Sequence, residues 1–176
     1  MPSEATTMST HPPSPNWWRW LVLAAAVIVL DLATKAWIVS VFREGQEVPV
    51  TSFFSLVLAY NTGAAFSFLE DQSGWQRWLF TGLAFAVGVG ILGWMKRLNG
   101  RIQWLLCCAL SLILAGALGN VIDRLRIGHV VDFILVHWNN SLFPAFNVAD
   151  SAITVGAVFL LYDAWRESHG AKRANV

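Results

Sequence analysis

The chain has 176 residues, 56% hydrophobic and only 13% charged, with a formal net charge of +1. A soluble domain of this size carries about 25% charged residues, so composition excludes an ordinary soluble globule. The basic footprint that nucleic acid requires is missing as well, and no nucleic-acid partner is expected.

Residues 1–16, "MPSEATTMSTHPPSPN", are rich in Pro, Ser and Thr and bury too little apolar surface to order themselves; they read as a disordered tail. Four apolar stretches follow, at about 17–41, 75–95, 102–122 and 151–165. A hydrocarbon core of ~30 Å takes about 20 helical residues, so each stretch reads as a membrane span, the last a short one. The first is longer than a typical leader core and has little positive charge before it, which favours an uncleaved span over a signal peptide. Trp17, Trp18, Trp20, Trp75, Trp78, Trp94, Trp104 and Trp165 mark the edges, as expected of residues that settle at membrane interfaces. Glycines at 82, 88, 90, 93, 116 and 119 are expected to let helices approach closely. Adjacent Cys107 and Cys108 make neither a disulfide framework nor a metal site and read as small packing residues; no metal and no cofactor is expected.

Lys and Arg set the orientation. One side collects Arg19, Lys96, Arg97, Arg101, Arg166, Lys172 and Arg173; the other has only Arg43, Arg77, Arg124 and Arg126. The excess places both termini and the "KRLNGR" turn in the cytoplasm. The outward segments then carry most of the acids. Asp31, fourteen residues beyond Trp17, lies about 21 Å along its helix, in the outer half of the membrane. Asp31, Asp123, Asp132 and Asp150 are thus expected to converge near one interface, and ionisable groups at such depth are candidates for function.

Each has a plainer reading. Asp31 and Lys35 stand four apart and can neutralise one another. Asn120, Asp123 and Arg124 share a helix end, where an Asp–Arg contact would fix a loop. Asp150, before "SAITVGAVFLL", can serve as a helix N-cap. Asp132 has no such excuse: "HVVDFILV" is apolar and β-branched, with no Lys or Arg within five residues. Two carboxylates held close share a proton, one charged and one neutral, which is the state that activates water and polarises a carbonyl in aspartic proteases. A proton-coupled transporter would want acids near the midplane and an internal repeat, and no repeat is visible. A non-catalytic scaffold gives no reason for Asp132.

Four blocks, "DLATK" at 31–35, "NTGAAFSFL" at 61–69, "AGALGNVIDRLRIGHVVDFI" at 115–134 and "FNVADSAITVGA" at 146–157, resemble the lipoprotein signal peptidase family, the type II signal peptidases of bacteria. The resemblance runs from the first span to the fourth. It implies a membrane aspartyl endopeptidase that removes the signal peptide of prolipoproteins by cleaving before a diacylglyceryl-modified cysteine. Asp132 and Asp150 match the family's catalytic pair. Asn61, Gly63, Asn120, Arg124 and Asn147 match its substrate-site residues, and Asp31, Lys35 and Asp123 match its supporting positions. The implied partners are lipidated prolipoproteins, membrane lipid and globomycin-type inhibitors. The implied fold is an all-α integral membrane protein: four transmembrane helices, a small periplasmic β-rich platform supplied mostly by residues 43–70, and a short periplasmic helix. The organisation expected is a cytoplasmic tail at 1–16, a peptidase domain at 17–165 and a cytoplasmic tail at 166–176. Segments 43–74 and 123–150 would face the periplasm of a multi-pass inner-membrane protein. Ala115 stands where the family often has Gly, which touches helix packing rather than chemistry.

Overall fold

In hydrocarbon every backbone polar group must be satisfied within its own segment or barrel, so apolar runs of this length fold as helices. The computed structural model of the chain describes residues 16–62, 75–138 and 141–174. Its helices are α1 (Trp20–Val41, entered through a 3₁₀ turn at Trp17–Arg19), α2 (Trp75–Met95), α3 (Trp104–Ile127) and α4 (Val148–Ala174). Among the described residues, four segments are long and apolar enough to cross a membrane: Trp17–Val41, Arg77–Met95, Trp104–Ile127 and Val148–His169. The last two helices outrun the sequence reading. α3 continues to Ile127, and α4 starts before Ser151 and runs on past Trp165, so residues 166–174 prolong a helix. The reason is that polar residues near both ends still make helical hydrogen bonds, whereas an apolar window measures only the part that prefers lipid.

α3 is the central helix: 67% of its most apolar window is buried, against 17–22% for the other three. It meets α4 most closely, through glycines. A Cβ on Gly116 would collide with the carbonyl oxygen of Ala149, and one on Gly156 would come within 2.8 Å of the Ala109 carbonyl. At Gly119 it would lie 2.7 Å from Asp31 Oδ2. Gly82, Gly90 and Gly93 of α2 have nothing within 4 Å, and Gly88 meets only ordinary van der Waals contact. Of the glycines expected at close crossings, those of α3 fill the role, Gly156 joins them, and those of α2 do not.

A small antiparallel sheet sits at one end of the bundle, its strands in the order β1 (Glu47–Pro49), β2 (Phe54–Asn61), β3 (Val130–Trp138) and β4 (Ser141–Leu142). Both connecting segments build it: among the described residues, 43–62 supply two of its strands and 130–142 the other two. Gly128, at φ +86°, ends α3 in the left-handed conformation that glycine tolerates and turns the chain into β3. Ile38 of α1 packs with Leu58, Val131 and Phe133 beneath the sheet. At the opposite end Ile91, Met95, Leu106, Cys107 and Leu110 form a second cluster, and the Trp20 indole donates to the Gly100 carbonyl at 3.0 Å. The start of α1, the α2–α3 turn and the end of α4 therefore share one end of the bundle, and the sheet the other. Among the described residues no short helix accompanies the sheet; residues 63–74 and 139–140 lie outside them.

Candidate active site

The site grows from the amino terminus of α4, where buried backbone donors demand partners. Asn147, fully buried, is the N-cap: its Oδ1 accepts the Asp150 N–H at 2.9 Å. Asp150 answers from the third helical position, its Oδ2 accepting the Asn147 N–H at 3.3 Å, the reciprocal arrangement of a capping box. The Ala149 N–H is taken by Asp31 Oδ1 from α1 at 2.9 Å. Asp150 is therefore not the cap itself, as the plain reading of the sequence has it. It holds the backbone of the cap with one oxygen and keeps the other for the site.

What brings Asp132 to this point is strand pairing. β3 exchanges backbone hydrogen bonds with Phe146, Ile134 N–H to Phe146 O at 2.8 Å and Phe146 N–H to Ile134 O at 3.0 Å. The chain thus returns beside β3 just before Asn147, and residues eighteen apart in sequence meet. On the other flank Asp132 lies opposite Ala59 and Asn61 opposite Val130, so Asn61 and Asp132 are diagonal neighbours on one face of the sheet. Asn61 Nδ2 donates to Asp132 Oδ2 at 2.9 Å. Asn147 Nδ2 donates to Asp132 Oδ1 at 2.7 Å, and Asn120 Nδ2 to Asp150 Oδ1 at 2.7 Å. Asn147 thereby touches both carboxylates.

Asp132 is only 2% exposed. Burial pushes its carboxyl up to about 6, and the charge of Asp150 adds to the rise, against the hydrogen bonds from Asn61 and Asn147 and the charge of Lys35. Asp150 is less enclosed and forms part of the wall of a cavity of about 450 Å³, with Phe143, Phe146, Ser151, Thr154 and Val155. Sequence reasoning does not single out this mainly apolar wall, although Asp150, Ser151, Thr154 and Val155 do share one helix face by their spacing. The two phenylalanines carry no local signal, since only the return of the chain beside β3 puts them there.

The supporting positions fall together. Lys35 pairs with Asp31 at 2.8 Å, as four-residue spacing predicts, and with Asp123 at 2.9 Å, all three side chains buried. Asp123 also accepts the Val131 N–H at 3.3 Å. The Asp–Arg contact expected at the end of α3 is replaced by this pairing with Lys35, because the buried ammonium needs the carboxylate more than a half-buried guanidinium does. Arg124 instead lies over the Phe80 ring at 5.3 Å, its Nε without a hydrogen-bond partner among the described residues. The charges of Asp150, Asp132 and Asp123 act on it. Gly63 lies outside the described residues. The other expected site residues, Arg124 apart, are joined by hydrogen bonds or ion pairs in this one constellation.

One asparagine thus joins two acids, Asp132 on the sheet and Asp150 at the start of α4, at the sheet end of the helix bundle. The signal peptidase (SPase) II family matches residues 23–166. The chain belongs to that family. It is a peptidase, a hydrolase, and a multi-pass bacterial membrane protein. It is 52% identical to a lipoprotein signal peptidase of Pseudomonas aeruginosa (strain PAO1) over 158 residues, 89% of this chain and 93% of the relative. It is 56% identical over 147 residues to one of Cupriavidus necator (strain H16), covering 84% and 83%. Among solved structures, a bacterial membrane enzyme determined by the in meso method is similar with a TM-score of 0.77. That pair is 27% identical, over 90% of this chain and 93% of the other. The peptidase thus shares both sequence and architecture with its relatives along nearly its whole length.

Proposed function

We propose that this peptidase removes the signal peptide of prolipoproteins, cutting before a diacylglyceryl-modified cysteine, with Asp132 and Asp150 as its aspartyl dyad. The observation that carries the reading is that Asn147 holds both carboxylates, one buried and one on the wall of an apolar cavity. Asp132, whose carboxyl burial pushes up to about 6, holds the shared proton. Asp150, in the first turn of α4, sits where the helix dipole favours a negative charge. Asp150 takes a proton from water as the oxygen attacks the scissile carbonyl, and Asp132 gives its proton to the carbonyl oxygen. As the tetrahedral diol collapses, the proton on Asp150 passes to the leaving nitrogen and one hydroxyl proton returns to Asp132, so the C–N bond breaks, a carboxyl end forms and the cysteine amine is freed.

The lipid on the cysteine anchors the bond at one depth, which turns the encounter into an effectively intramolecular one. Asn61 and Asn120 hold the acids, and Arg124, with a donor to spare, faces the substrate; Gly63 belongs to the same proposed surface. Both termini lie in the cytoplasm, the sheet and dyad at the periplasmic face of the inner membrane. A globomycin-type cyclic lipopeptide would compete for the same cavity. Purified protein should shorten a diacylglyceryl-modified precursor and leave the unlipidated one intact. Cleavage of both at equal rates, or of neither, would overturn the proposal. Reporter fusions after Asn99 and after Asn139 should report opposite sides of the membrane; matching signals would displace the site from the periplasm.

A further inference from the structure

A buried ammonium must have its charge and its three N–H donors answered. Lys35, 3% exposed, meets Asp31 Oδ2 at 2.8 Å, Asp123 Oδ2 at 2.9 Å and Asn120 Oδ1 at 3.1 Å. The two carboxylates already outnumber the one cation, so the bond to Asn120 is not needed for charge. Its consequence is geometric. A side-chain amide can turn over and exchange its oxygen for its nitrogen. An ammonium, which only donates, tolerates only the oxygen. With Asn120 Oδ1 held by Lys35, Nδ2 points the other way and donates to Asp150 Oδ1 at 2.7 Å. Turned over, Asn120 would set an acceptor against a carboxylate. Asn147 Nδ2 also reaches Asn120 Oδ1, at 3.2 Å, but the same nitrogen serves Asp132 at 2.7 Å and the Val131 carbonyl at 3.2 Å.

We propose that Lys35 is a positioning residue for hydrolysis: its ammonium fixes which end of Asn120 faces Asp150 and so holds that carboxylate at the cavity wall. The inference rests on the reading of Asp132 and Asp150 as the dyad. Among the described residues the charged groups around the dyad are Lys35 and Asp31 from α1 and Asp123 and Arg124 from α3, with the two acids themselves on β3 and α4; β2 brings the neutral Asn61. Lys35 also favours the charged form of Asp132 from across the site. Removing it therefore has two separable effects, loss of orientation and loss of a positive charge.

Two variants of the full chain separate them. Lys35→Met removes donor and charge. Asp31→Asn with Lys35→Met removes the donor but leaves the buried group at −1, since two acids and one lysine become one acid. The amide oxygen that replaces the Asp31 carboxylate can still accept the Ala149 N–H. The substrate is a synthetic precursor peptide carrying a diacylglyceryl cysteine. In the double variant kcat per folded molecule should fall at least tenfold with KM within twofold. In Lys35→Met the alkaline limb of the kcat profile, where Asp132 gives up its proton, should also move to higher pH, because the charge that favoured the ionised form of Asp132 is gone. A Lys35 that only supports the fold would lower melting temperature and yield, with kcat and pH profile unchanged. Unchanged kcat in the double variant, or no folded protein from either variant, overturns the inference. Failure of the wild-type protein to cut the precursor, or cutting by Asp132→Asn, overturns the dyad and this inference with it.

Discussion

Asp132→Asn tests the energetic claim behind the dyad, that a carboxylate is kept where the fold would be better without its charge. In the folded protein the carboxyl titrates at about 6 rather than 3.8, a gap of about two units or ~3 kcal/mol at 1.36 kcal/mol per unit. The folded state binds the extra proton between those values. The stability this group contributes is therefore fully present below pH 3.8 and lost as pH rises through about 6. Asparagine abolishes the titration but cannot match both neighbours. Asn61 and Asn147 donate to opposite oxygens, at 2.9 and 2.7 Å, so one of them would face an NH₂ group, at a cost of about 1–3 kcal/mol. The absolute stabilities at neutral pH should consequently lie close, with the variant ahead by ~0–2 kcal/mol.

The slope is the diagnostic. Between pH ~4 and ~7.5 the wild-type protein should lose ~3 kcal/mol relative to Asp132→Asn, a relative fall of ~6–12 °C in melting temperature for a chain of this size. Acids that do not interact with Asp132 titrate alike in both proteins and cancel in the difference. The assay is thermal unfolding in detergent across that pH range, followed by tryptophan fluorescence, with precursor cleavage measured on the same samples. Loss of cleavage together with a flattened profile is the expected outcome. Parallel melting profiles would refute burial as the origin of the raised carboxyl, and near-normal cleavage by the variant would refute the aspartyl mechanism.

Gly116→Ala should cost about 1–3 kcal/mol, because the new methyl meets the Ala149 carbonyl, and should slow cleavage by displacing the first turn of α4. Gly90→Ala, with open space around it, should be neutral or stabilising by ~0.5–1 kcal/mol; thermal unfolding of the pair distinguishes a true crossing from a helix face. Asn147→Ala removes a cap worth about 1 kcal/mol and a hydrogen bond to a carboxylate worth ~1.5–3 kcal/mol. It should lower stability by ~2–4 kcal/mol and nearly abolish turnover, and wild-type kinetics in this variant would contradict the linking role given to Asn147. Arg124→Ala should lose most cleavage while remaining folded in the membrane, and Arg124→Lys should not restore it, because a planar fork and a point charge bind differently. Full activity in Arg124→Ala would reduce it to a residue that packs on Phe80.

The four spans and the two odd carboxylates are legible in the sequence because each depends on a local quantity. Transfer of about twenty apolar residues into hydrocarbon is favourable whatever they pack against, and an Asp in "HVVDFILV" is costly in any fold that buries it. The Asp31–Lys35 pair is legible for the same reason, since helical geometry alone sets a spacing of four. The resemblance of the four blocks then indicates which residues belong together without saying how they meet.

How they meet is a matter of packing. Nothing local says that Phe146 pairs with Ile134, and that pairing is what carries Asn147 and Asp150 to Asp132. Nothing local separates Gly116, which an α3–α4 crossing requires, from Gly90, which touches nothing. Asp123 turns to Lys35 rather than to its neighbour Arg124, and Asp150 yields the cap to Asn147. Each of these choices is a competition among buried polar groups for a limited set of partners. Its outcome depends on distances that exist only once α1, α3, β3 and α4 have closed on one another. Local chemistry sets which residues are expensive to bury; the packed fold sets which of them answer one another.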